Sequence, residues 1–366
     1  VIKNSLIICK FKGEKKMLKR KKLLALTLTA LVSMGVLAGC GQKNQEAKAE
    51  ETGSGEKVVN VYSSRHYDID KQLFKDFESD TGIKVNLVDG KSDELIERMA
   101  REGDNTSADV FLTVGAENIA QLNEKDLIKD ISSEKINENI PSEYRGKNWV
   151  GLTSRARIIV YNKEKVNPET IKTYNDLTKN EFKGKVLTRS SSSSYNNALL
   201  SSFIQLDGAD KAKEWAQGIV NNFARTPEGN DRDQAKAIMA GIGDVGIMNS
   251  YYIAKMISSS DAEEAKVGKE IGVLFPENTH LNLSFGAVTK NAKNEENAVA
   301  LLEYLTEEKA QKAYVDENGE FALNTKVGKS ELQKSWGEFK VQNLNYETLG
   351  ESKQEATLIF DQVGWK

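Results

Sequence analysis

Residues 58–87 read VVNVYSSRHYDIDKQLFKDFESDTGIKVNL. Val58 to Tyr62 is a short apolar run of the kind that forms a buried strand, whereas Ile69, Leu73, Phe74 and Phe77 recur at helical spacing. Gly82 then stops the helix, and Ile83, Val85 and Leu87 alternate as a second strand. Strand, helix and strand in such close succession predict a parallel pair joined by a crossover helix, the building unit of α/β folds.

The same wiring continues outward. Leu95, Ile96 and Met99 mark a helix that Ser92 is expected to cap, and Ala108 to Val114 is a further apolar strand. A second series starts at Ile158 to Tyr161. It runs through a strand at 185–187, helices over 198–206 and 209–220, and a strand at 244–248. Two similar series predict two lobes, and 366 residues, 39% of them hydrophobic, suffice for two cores. Ile271 to Phe275 and Ser284 to Thr289 read as strands that carry the chain back to the first lobe, ahead of a helical region from Glu295 onward.

The N-terminal region has a different character. Met17 to Cys40, MLKRKKLLALTLTALVSMGVLAGC, sets a basic patch before an apolar run that ends in small residues, the pattern of an export signal over 17–39. Leu37-Ala38-Gly39-Cys40 resembles the bacterial lipoprotein box, so Cys40 is expected to be lipidated and to hold the protein on the extracytoplasmic face of the cell membrane. Residues 1–16 are expected to lie outside the translated protein, because Lys12-Gly13-Glu14 could be encoded by a ribosome-binding site just upstream of Met17. Residues 40–57, beginning at that cysteine, continue as a polar stretch that reads as a flexible tether.

Nine of the 51 basic and one of the 54 acidic residues precede Cys40, which leaves 42 against 53, a net of −11. That balance argues against nucleic-acid binding, which needs a basic footprint. The two cysteines, Cys9 and Cys40, both lie at or before the expected cleavage site, so the exported part has no disulfide. With His66 and His280 the only histidines, a three-histidine zinc centre within one chain is excluded. A Ser-His-Asp hydrolase lacks its G-x-S-x-G elbow. Gly241, Gly243 and Gly246 match G-x-G-x-x-G, but they follow a helix at 231–240 and lead into a strand, the reverse of the order that a dinucleotide requires. They read as a helix end and a tight turn.

Three tyrosine-bearing segments remain: Tyr62-Ser-Ser-Arg-His-Tyr67, Arg189-Ser-Ser-Ser-Ser-Ser-Tyr195-Asn-Asn197 and Met248-Asn-Ser-Tyr251-Tyr252. Each falls where a strand gives way to a helix, the edge at which open α/β sheets place ligands. Singly, each tyrosine reads as a packing residue with its hydroxyl at the rim, His66 as a surface residue, and the serine run as a loop or a phosphate-cradling helix start. Together they suit a hard, highly charged cation, which prefers anionic oxygen and can displace a phenol proton. At a strand-to-helix turn the hydroxyls of Tyr251 and Tyr252 could converge on one ion.

From Val58 to Lys366 the chain resembles the periplasmic ferric-iron-binding proteins of ABC importers. The motifs that carry the resemblance are YSSRHY at 62–67, SRARIIVYN at 154–162, RSSSSSYN at 189–196, GNDRDQAKAIMAG at 229–241 and NSYY at 249–252. It implies a two-lobed α/β fold of the type II periplasmic-binding-protein class, hinged on crossing strands. It implies metal ligands at His66, Tyr67, Tyr195, Tyr251 and Tyr252, with Arg65, Arg155 and Arg157 supporting them. The implied cargo is Fe(III), with Fe(II) as a second option and no required synergistic anion. The implied partner is an ABC permease, met by a monomer. Ile253 stands where family members often have a third aromatic. Residues 58–155 with 281–325 are expected to form lobe 1, and residues 156–280 with 326–366 lobe 2. The competing readings are a phosphate or sulfate receptor, built on Ser190 to Ser194, and an anchored serine hydrolase with His66 as base.

Overall fold

The computed structural model describes residues 57–366. The expectations for residues 1–16, for the export signal and for Cys40 and its tether through Glu56 lie outside the described residues. Among the described residues ten strands are present: β1 Val58–Ser63, β2 Lys84–Asp89, β3 Val110–Val114, β4 Ile128–Lys129, β5 Val150–Tyr161, β6 Val186–Leu187, β7 Val245–Asn249, β8 Gly272–Leu274, β9 Leu281–Thr289 and β10 Phe321–Ala322. Their order is β2-β1-β3-β9-β5-β7-β6, with β4 added to β9 and with β8 and β10 added to β5.

The opening stretch folds as its pattern predicts. β1 pairs in parallel with β2 on one side and β3 on the other. Helix Asp68–Thr81 makes the crossover and buries Ile69, Leu73, Phe74 and Phe77. Gly82 ends it at φ 71°, a left-handed conformation that a residue without Cβ adopts freely. Ser92 does not cap the next helix: it is the first helical residue of Ser92–Glu102, and Lys91 precedes it without a side-chain cap.

Two strands thread both lobes. The first part of β5 pairs antiparallel with β9, from Val150 opposite Gly286 to Ala156 opposite Leu281. From Arg157 to Tyr161 the same strand pairs with β7, and its end also pairs with β8. β9 in turn pairs with β3 from Ser284 to Val288 and so returns the chain to the first lobe. The apolar run at 158–161 is therefore the end of a twelve-residue strand. Thr153 to Arg157 break the apolar pattern in sequence, yet they are buried in the strand, where Thr153 and Arg155 meet Glu320 and Arg157 meets Asp231.

The first lobe packs Val59, Leu73, Phe77, Phe111, Phe285 and Leu301 about its sheet. A separate core gathers Ile159, Leu199, Trp215, Val245, Ile247 and Phe360, so the C-terminal helix Lys353–Val363 packs on the second-lobe strands. Trp365 closes that core against Phe360 at 4.9 Å and Phe223 at 5.1 Å between ring centres. Gly241 has φ 78° just beyond helix Asp231–Met239, and Gly246 lies within β7, so this glycine run turns a helix into a strand. Among the described residues no helix is long and apolar enough to cross a membrane.

Candidate metal centre

Three strand-to-helix junctions bring the tyrosines together. Tyr67 is the residue before helix Asp68–Thr81, after β1 has ended at Ser63. Tyr195 is the second residue of helix Ser194–Asp207, which follows β6, and Tyr251 and Tyr252 lie in the first turn of helix Ser250–Ile257, directly after β7. Side chains in a first helical turn tilt toward the helix N-terminus, so these phenols lean back over the strand ends.

Tyr67 on the first lobe meets Tyr251 on the second edge-on, with ring centres 6.1 Å apart at 82°. The Tyr251 and Tyr252 rings lie 4.1 Å apart at 34°. These two side chains belong to a regular helix instead of the turn before it; their length and N-terminal tilt offset the divergence of successive Cβ atoms. Tyr195, Tyr67 and Tyr252 each lie close enough to act electrostatically on Tyr251. His66, beside Tyr67, is exposed, and among the described residues no hydrogen bond, ion pair or ring contact joins it to the four tyrosines.

Beneath the phenols lie three fully buried guanidiniums. Arg65 is paired with Asp70 at 2.9 Å and Glu320 at 3.3 Å, and its guanidinium carbon is 5.0 Å from the Tyr67 ring centre. Arg155 is paired with Glu320, donates to Ser284 Oγ at 2.9 Å, and sits 5.3 Å from the Tyr67 ring and 5.5 Å from the Tyr251 ring. Its Nε and Nη1 are buried without a hydrogen-bond partner. Arg157 donates to Asp231 at 3.2 Å and to Asn196 Oδ1 at 2.9 Å, 5.9 Å from the Tyr195 ring.

Nothing in the sequence pattern singles out Glu320, Asp231 or Asn196 as part of this centre. Asp231 lies inside the GNDRD motif, where Asn230 and Asp233 form a reciprocal cap on helix Asp231–Met239. That cap holds the Asp231 carboxylate where it accepts the Asn249 N–H at 2.9 Å as well as Arg157. Asn196 is adjacent to Tyr195, so its neighbour was a visible clue. Glu320 is distant in sequence from every tyrosine of the site, and no local pattern marks it.

The charge environment is unusual for phenols. Burial pushes Tyr67, Tyr195, Tyr251 and Tyr252 all above the ordinary phenol value, with Arg155 pulling the first three back. All four are thus neutral without a bound cation. Burial alone would raise Glu320 too, but Arg155 and Arg65 outweigh it and hold the carboxyl ionised. Among the described residues no group of three His, Cys, Asp or Glu is placed to hold a metal, so any cation here depends on phenol oxygen.

The serine run is committed to its own loop. Ser191 and Ser193 give their N–H groups to the carbonyls of Lys366 and Ser190, while Asn196 and Asn197 side chains donate to carbonyls of residues 189–193. Those two N–H groups are therefore spent, which weakens the phosphate-cradle reading.

The sequence profile of the bacterial extracellular solute-binding proteins matches residues 72–341. The chain belongs to this family. Iron uptake protein A1 of a Synechocystis species is 39% identical to this solute-binding protein over 344 residues, which is 92% of this chain and 95% of that one. A Trichodesmium protein (IdiA, FutA) solved with iron and citrate ligands superposes with a TM-score of 0.81 at 45% identity, covering 84% of this chain and all of that one. The ferric binding protein of Campylobacter jejuni gives a TM-score of 0.79 at 39% identity, again over 84% of this chain and all of its own. The fold is that of a type II periplasmic binding protein, as the two-lobed α/β reading of the sequence anticipates.

Proposed function

We propose that this solute-binding protein captures ferric iron between its lobes and delivers it to an ABC importer. The observation that carries the proposal is the meeting of Tyr67 from the first lobe with Tyr195, Tyr251 and Tyr252 from the second, above buried guanidiniums. Phenolate is a hard donor that suits a trivalent cation, and the cation itself drives off the phenol protons. His66 is proposed as a fifth donor, reached by side-chain rotation when the ion arrives. Arg65, Arg155 and Arg157 support the phenol rings from beneath, and no separate anion is required.

Binding at donors divided between two lobes favours the closed arrangement, because the ion meets its full ligand set only there. Residues 58–155 with 281–325 form the first moving body in this proposal, and residues 156–280 with 326–366 the second. A lipid on Cys40 would hold the monomer at the extracytoplasmic membrane face, beside its permease. The sequence similarity to iron uptake protein A1 supports the iron reading.

The test is optical. Purified protein mixed with ferric citrate should develop a visible phenolate-to-iron charge-transfer band, which Tyr195→Phe and Tyr251→Phe weaken and shift. A colourless wild-type protein that instead binds phosphate or sulfate would replace this proposal with the oxyanion reading. Repeating the titration with Fe(II) under strictly anaerobic conditions separates the two oxidation states.

A further inference from the structure

Helix Ser250–Ile257 carries a cation as well as the twin tyrosines. Lys255 is one helical turn beyond Tyr251, so the two share a face of the helix. Its ammonium is 5.6 Å from the Tyr251 ring centre and 5.1 Å from that of Tyr67, which belongs to the other lobe. It is half-buried.

Each of the other cations facing these rings has a carboxylate within ion-pair distance, with Asp231 shared by Arg157 and Arg189. Asp70 and Glu320 pair with Arg65, Glu320 with Arg155 and Asp231 with Arg157. Of the two half-buried arginines over Tyr195 and Tyr252, Arg189 reaches Asp231 at 3.9 Å and Arg232 reaches Glu264 at 3.2 Å. Among the described residues no carboxylate lies within ion-pair distance of Lys255; Glu320 and Asp68 act on it only from further away.

Four phenolates around a trivalent ion leave one negative charge over. The three fully buried guanidiniums have a carboxylate each, so they do not cancel it. The geometry points to Lys255 as the residue that does: a positioning residue whose positive charge spans the cleft, drawing Tyr67 toward the second lobe and balancing the loaded centre without an added anion. The contact with Tyr67 joins the two lobes, so the charge reaches Tyr67 only on closure. A cation held over an aromatic face is attracted to it, and more strongly once the ring bears the negative charge of a phenolate.

This inference rests on the proposed iron reading, and the test separates the two. Lys255→Met keeps the length and the apolar stem but removes the charge, and Lys255→Arg restores charge with different geometry. Each variant and the wild type are loaded with ferric nitrilotriacetate and then titrated with citrate as competitor, while the charge-transfer band is recorded. Lys255→Met should weaken iron retention about tenfold or more, a fold-change within the range measured for truncating one member of a close charge pair. Its band should move to longer wavelength, because the phenolates become more electron-rich. Lys255→Arg should recover most of the retention, and the melting temperature of the iron-free variants should stay at the wild-type value. Retention in Lys255→Met within twofold of wild type overturns the inference, as does a loss that Lys255→Arg fails to recover or an iron-free Lys255→Met that melts well below wild type. A wild type that takes up no iron defeats the parent reading, and this inference with it.

Discussion

Replacing Glu320 by glutamine probes the charge system under the tyrosines. Glu320 is fully buried and pairs with Arg155 and Arg65, while Thr153 and Asn318 donate to its oxygens at 2.7 and 2.6 Å. Arg65 keeps Asp70 in the variant. Arg155 keeps its bond to Ser284 and can keep one to the amide oxygen, but it loses its counter-charge, and its Nε and Nη1 already lack partners. One buried cation is therefore left without a carboxylate, a change that costs about 3–5 kcal/mol. For a protein of this size that is a fall of about 5–8 °C in melting temperature. Urea unfolding of the iron-free protein measures it directly. The double variant Arg155→Met/Glu320→Gln, which removes both charges, should come back to within about 1 kcal/mol of wild type. A loss below about 1 kcal/mol for Glu320→Gln alone would refute the view that Arg155 depends on this carboxylate.

Three further outcomes follow from the same structure. Iron retention should fall as pH drops, because four phenols raised by burial must each lose a proton to bind; competition titrations at several pH values should show proton release, and a flat profile would rule out phenolate ligation. Burial lowers His280 to about 4, so the unfolded chain takes up the proton first: its contribution is complete above pH ~6.5 and is lost, up to about 3 kcal/mol, as pH falls to about 4. His280→Gln should flatten the urea midpoint between pH 7.5 and pH 4.5, and an unchanged slope would assign the acid loss elsewhere. A Cβ on Gly350 would come within 2.4 Å of the Ala116 carbonyl oxygen, so Gly350→Ala should cost about 1–3 kcal/mol. Gly328→Ala, with nothing within 4 Å, should stay within about 0.5 kcal/mol in the same urea assay, and equal effects would contradict the close approach.

What the sequence displayed depended on how local each signal was. Helix Asp68–Thr81 and its glycine stop were plain, because apolar spacing and left-handed φ are properties of neighbouring residues. The four tyrosines were legible because each sits at a strand-to-helix change that periodicity can locate. β5 was half hidden: its central Thr153 to Arg157 look like solvent-facing residues until their partners from β9, Asp231 and Glu320 are in place. Glu320 and Lys255 could not be ranked above other charges in the chain, since their significance lies in distances across the fold. Likewise Ser92 looked like a cap because its type suits that role, but the helix begins one residue earlier, where the backbone of Lys91 turns.

The passage of β5 and β9 through both lobes has a consequence for unloading. Arg155 and Arg157 are carried on β5 itself, at the point where its partner changes from β9 to β7, whereas Tyr67 and the other three phenols hang from helices on either side. A swing that parts the lobes pivots on that axle. On the proposed iron reading, Tyr67 departs with one arm while Arg155 and Arg157 stay on the axle with their carboxylates, so opening strips one phenol oxygen from the ion while the strand beneath the centre stays whole.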